Sequence, residues 1–145
     1  MNSDFEGTLR VIVALWREHG VDIRRPAKLE EIASVETRLG VPLPPEAVAL
    51  YRNVDGMAAS EADFPISTRL IRIWPLAELR LATSSEAARF SGGIVFADYL
   101  VHSHEYCLTS DGAVAIVAGD ASHIVSPSLA VFLRGYAADD VRVFR

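Results

Sequence analysis

The chain has 145 residues, half of them hydrophobic and 23% charged, with a formal net charge of −5, values that fit one globular domain over 1–145 with a substantial core. The acidity disfavours non-specific nucleic-acid binding, which runs on phosphate neutralisation by Lys and Arg, and no run is long and apolar enough to suggest a membrane span. The N-terminal MNSDFEG lacks the basic start of a secretory signal, and Cys107 is the one cysteine, so no internal disulfide can form and the expected compartment is the cytoplasm.

In chain order, Ser3 and Glu6 have capping-box spacing ahead of Leu9, Ile12, Val13 and Trp16 at helical intervals, which predicts a helix from Asp4 to His19 closed by Gly20. Val21 to Ala27 reads as a linker, with Arg24 and Arg25 on a solvated turn. The stretch from Leu29 to Gly56 is the most strongly patterned. Leu29, Ile32, Val35 and Leu39 set a helix. Gly40 stands where a left-handed cap is wanted, and Pro42 forbids continuation. Pro44 and Pro45 open the next helix, which carries Ala47, Val48, Leu50, Tyr51 and Val54 before Asp55-Gly56 turns the chain.

Met57 to Ser67 has no period and reads as a surface loop, the kind of segment that often carries function. Leu70 to Trp74 predicts a strand stopped by Pro75, with a short helical turn within Pro75 to Leu81. Thr83 to Gly93 reads as a loop holding one helical turn around Glu86 to Phe90. Strands are expected at Ile94 to Leu100, Glu105 to Thr109 and Ala113 to Val117, the last two joined through Ser110-Asp111-Gly112, with a short one at His123 to Val125. Ser126 is the expected cap of a final helix with Pro127 at its first position, and Leu129, Phe132, Leu133 and Tyr136 on its inner face. Val141 to Phe144 suits an edge strand or a tail. Strands group together instead of alternating with helices, so the fold class is α+β, a mostly antiparallel sheet packed against N-terminal helices and a C-terminal helix.

The order Glu36, Leu39-Gly40, Leu43-Pro44, Leu50-Tyr51 and Asp55-Gly56 resembles the signature of the SUKH superfamily, which includes cell-wall assembly regulators and Syd-like proteins. Ile73-Trp74-Pro75-Leu76, Val95 to Asp98, Tyr106 to Leu108, Gly112 to Val114 and the final helix are similar to its later elements. One departure is Tyr99 to His104, where many members are small and Gly-rich. The resemblance implies a non-enzymatic protein-binding domain, in bacteria an immunity protein that neutralises a cognate polymorphic toxin; a regulatory or scaffold role is the alternative.

Chemistry-bearing residues support catalysis poorly. His104 and Cys107 are three apart on one predicted strand and so point to opposite faces, which opposes a nucleophile–base pair. His102 and His104 have chelating spacing, and a small metal-dependent enzyme using them is the enzymatic rival, but only His123 and Asp98 offer further ligands, with nothing in the spacing to bring them in. Phosphate-loop, Gly-x-Ser-x-Gly and His-Glu-x-x-His motifs are absent from the sequence. No catalytic, metal or cofactor site is therefore expected, and no cofactor. The expected partner is a protein, with no nucleic acid and no membrane. Its candidate contact residues are Glu61, Asp63, Asp98, Glu105, Asp111 and Asp120, with the last four gathered on one rim of the sheet, and Tyr99 as an anchor.

Overall fold

A computed structural model describes residues 3–57, 71–99 and 104–140. The elements run α1 (Ser3–Glu18), α2 (Leu29–Leu39), α3 (Pro45–Asn53), β1 (Ile71–Ile73), β2 (Arg80–Leu81), α4 (Ser84–Ala87), β3 (Ile94–Tyr99), β4 (His104–Leu108), β5 (Val114–Val117), β6 (His123–Ser126) and α5 (Leu129–Ala137). Single 3-10 turns occupy Leu76–Glu78 and Ala88–Phe90. The sheet is antiparallel throughout, in the order β1-β3-β4-β5-β6, with β2 beside the first half of β3 and β1 beside its second half. The class is α+β.

Alternation along the strands gives the sheet two buried faces. On one, Tyr106 packs against Phe132 of α5 with ring centroids 5.1 Å apart. The β3–β4 register skips a residue between Val95 and Ala97, and Phe96 at that bulge also meets Phe132, edge to face at 5.9 Å. Helix α1 lies against α5, where Trp16 Nε1 donates to Tyr136 Oη at 2.8 Å. The cross-strand neighbours Val95, Cys107 and Ala115 occupy the other face and are fully buried too. Trp16, Trp74, Leu129, Phe132 and Leu133, expected to share a core, lie in one buried cluster.

Gly40 adopts φ 77° and its N–H donates to Glu36 O at 2.9 Å, closing α2 as the sequence predicts. Nothing lies within 4 Å of the place a Cβ would take there. Gly40→Ala is therefore expected to cost only the backbone term, about 1–2 kcal/mol, read from a urea melt; an unchanged midpoint would overturn it.

Five expectations are corrected or fall outside the described residues. The cap of α5 is Ser128, whose Oγ accepts from Val131 N–H at 3.1 Å. Ser126 instead ends β6 paired with Val114, and Pro127 lies between strand and helix. Strand β2, absent from the sequence reading, forms because Arg80 and Leu81 pair with Val95 and Ile94. Trp74 lies beyond β1, although its N–H still reaches Phe96 O at 2.8 Å. The predicted loop is described only at Met57, and Val141 to Phe144 lies outside the described residues.

Candidate functional site

The stretch 29–56 carries the densest set of patterned polar side chains. Several of them hold backbone groups. Leu43 N–H donates to Glu36 Oε2 at 2.7 Å, which locks the turn between α2 and α3. Tyr51 Oη donates to Trp74 O at 2.7 Å, and Leu76 N–H donates to Asp55 Oδ1 at 2.7 Å. From α2, Arg38 donates to Leu79 O at 2.8 Å and Leu76 O at 3.1 Å. Together these bonds clasp the helical half of the chain to the turn that follows β1. They satisfy carbonyls and amides that burial would otherwise leave unpaired. Burial pushes the Asp55 carboxyl above the ordinary range, opposed by the Leu76 amide and by Arg24, which lies 3.6 Å away. Burial likewise raises the Tyr51 hydroxyl.

A second polar cluster lies on the sheet face turned away from α5. Register places Arg72 opposite Asp98, and Asp98 opposite Glu105. Trp74 Nε1 donates to Asp98 Oδ1 at 2.5 Å, Arg72 grips Glu78 through two bonds of 2.7 and 2.5 Å, and Arg80 pairs with Glu105. The Arg72 guanidinium also reaches Met57 O at 3.2 Å. Arg72 and Asp98 are 5% and 1% exposed, so this cluster ties β1, β3, β4 and the 76–78 turn from within.

The chemical rivals are placed as follows. Cys107 is fully buried, on the face opposite His104. His104 stacks on Tyr99, ring centroids 4.8 Å apart and planes 10° apart, and its Nε2 lies 3.1 Å from Tyr106 Oη. His102 lies outside the described residues. Asp98 is on the other side of the sheet, and His123 Nδ1 is within 2.9 Å of Ala121 O. Among the described residues no group of three or more His, Cys, Asp and Glu side chains is set to hold a metal ion, and no helix is long and apolar enough to cross a membrane.

The candidate contact residues do not form one group. Glu61 and Asp63 lie outside the described residues. Asp98 is buried on Trp74, which removes it as a surface residue. Glu105 is half-buried against Arg80. Tyr99 and Asp120 sit at the end of the sheet where β3 finishes, β4 starts and β5 turns into β6. Asp111 is exposed in the β4–β5 turn at the opposite end, its carboxylate bonded by the Thr109 hydroxyl and held below the usual range by that bond. The expected single rim of four acids is therefore corrected: successive hairpin turns of an antiparallel sheet fall at alternate ends.

The residues missed by sequence reasoning are Arg38, Arg72 and Arg80. Each is an arginine next to apolar neighbours, a weak signal, because its partner is fixed by the fold: the 76–79 turn for Arg38 and Arg72, and Glu105 of β4 for Arg80. A family model described as SMI1 / KNR4 family (SUKH-1) matches residues 26–135, from Pro26 ahead of α2 to Gly135 in α5. Comparison with curated proteins returned no match.

Proposed function

Because the chain belongs to the SMI1 / KNR4 family (SUKH-1), we propose that it is a non-enzymatic, single-domain protein-binding module of the cytoplasm, an immunity protein that binds a cognate bacterial toxin domain and covers its active surface. The observation that carries this reading is the use of the signature side chains. Glu36, Tyr51 and Asp55 each hold a backbone group and so build the fold. With these side chains committed to the fold, the exposed surface is what remains for partner choice, which suits a binding domain. Catalysis by Cys107 with His104 is opposed by their opposite faces.

The proposed contact surface is the sheet end with Tyr99, Glu105 and Asp120. Tyr99 brings a half-buried ring, of the kind that anchors interfaces, and Asp120 an exposed carboxylate. The net charge of −5 suits a toxin with a basic substrate groove, since opposite charge speeds encounter. The decisive experiment co-expresses the chain with the toxin domain encoded beside it. Restored growth and a purified one-to-one complex are expected; continued killing, with the chain folded and soluble, would overturn the immunity reading. In that complex, Asp120→Lys should slow association several-fold at low salt and less at high salt, whereas Asp111→Lys at the far end should be silent. Salt-insensitive binding with every reversal silent would remove the acidic surface.

A further inference from the structure

We propose that His104 is a proton-operated latch tying the Tyr99 end of the sheet to the core. Strand β4 sends His104 and Tyr106 to the same face, two residues apart. The His104 ring is sandwiched between an exposed-side stack on Tyr99 and an edge contact with Tyr106, centroids 5.2 Å apart at 80°. Tyr106 is fully buried and continues the line of rings to Phe132 and Phe96. Among the described residues the Tyr106 hydroxyl has one hydrogen-bond partner, His104 Nε2 at 3.1 Å.

That bond favours one protonation state. A phenol whose ionisation burial has raised remains a donor at neutral pH. When Oη–H donates to an unprotonated Nε2, both atoms are satisfied. The reverse arrangement, Nε2–H donating to Oη, would leave the hydroxyl hydrogen with no acceptor among the described residues. The neutral ring therefore carries its proton on Nδ1. A second proton, taken from solvent onto Nε2, turns the acceptor into a donor, and two donors then face each other.

The surrounding charges act in both directions. Burial, first, and then His123 of β6 oppose the imidazolium, whereas Asp98 on the far face of β3 favours it; the Tyr99 ring face also favours a cation. The balance holds His104 below its usual 6.5. For a base whose folded value is depressed, the neutral form carries the stability: it is present above the unfolded value and is lost as pH falls through the folded one. In acid the ring leaves the Tyr106 hydroxyl, Tyr99 loses its stacking partner, and the end of the sheet loosens.

The latch is read from the fold and stands independently of the immunity reading, so its test needs no partner. Two-dimensional NMR of the full chain follows the His104 ring through an acid titration in wild type and Tyr106→Phe. His104 is expected to titrate below 6.5, with Nε2 bare in the neutral form. In Tyr106→Phe its midpoint should move up, because the bond favouring the neutral ring is gone. Titration at or above the usual value, a neutral ring protonated on Nε2, or an unmoved midpoint in Tyr106→Phe would each overturn the proposal. Should Tyr106→Phe fail to fold, the wild-type midpoint and tautomer decide alone.

Discussion

Gly56→Ala is expected to lower stability by roughly 2–5 kcal/mol, enough to threaten a domain whose total is on the order of 5–15 kcal/mol. Two independent causes add. Gly56 has φ 68°, in the left-handed region that a β-carbon disfavours. The added Cβ would also stand 2.6 Å from both C and O of Trp74 and 2.7 Å from Pro75 N. These are backbone atoms, which cannot swing aside as the end of a side chain could. The Trp74 carbonyl is, moreover, the acceptor of the Tyr51 hydroxyl, and the next residue but one, Leu76, is held by Asp55. Displacing this segment would open the clasp on both sides. Gly40→Ala is the built-in comparison, with a similar φ of 77° and open space around the new carbon. The two substitutions should differ in urea midpoint, with Gly56→Ala much the lower; equal midpoints would show that the close approach at Trp74 carries no energy.

The contrast between the two glycines also shows what was legible in the chain. Gly40 could be read from local punctuation, a helical period ended by Gly and followed by Pro, and its left-handed cap is where that pattern puts it. At Gly56 the Asp-Gly turn was equally legible, but its tight packing was not, because Trp74 reaches it through tertiary contact. The cap of α5 failed for a related reason. Ser126-Pro127-Ser128 offers two serines of equal local merit, and the choice is made by pairing of Ser126 with Val114 on another strand. Strand β2 is two residues long, too short to show any period, and exists through its partners on β3. Asp98 read as an exposed strand-end acid until Trp74, 24 residues earlier, claimed its carboxylate. Alternation did place His104 and Cys107 on opposite faces correctly, since a period of two is a property of the strand itself. The separation of Asp111 from Asp120 was available from the same logic, by counting hairpins instead of acids.

Phe132→Ala should cost about 3–5 kcal/mol. The side chain is fully buried and is the meeting point of the sheet and α5. Phe96 from the β3 bulge approaches it edge to face at 80°, and Tyr106 from β4 is tilted against it at 56°. Removing the ring leaves a cavity walled by two aromatic rings on strands and by the helix backbone, parts that relax poorly toward one another, so the cavity penalty should sit in the upper part of that range. Phe132→Leu retains most of the volume and should lose much less. A two-state urea titration reads the loss as a lower midpoint with an unchanged slope. A midpoint within experimental error of wild type would mean that the ring cluster is not the joint between sheet and helix. The same variant bears on the rim, because Tyr106 is wedged between Phe132 and His104. With Phe132 truncated, Tyr106 gains room to settle inward, the His104 bond lengthens, and the order of Tyr99 should fall with it.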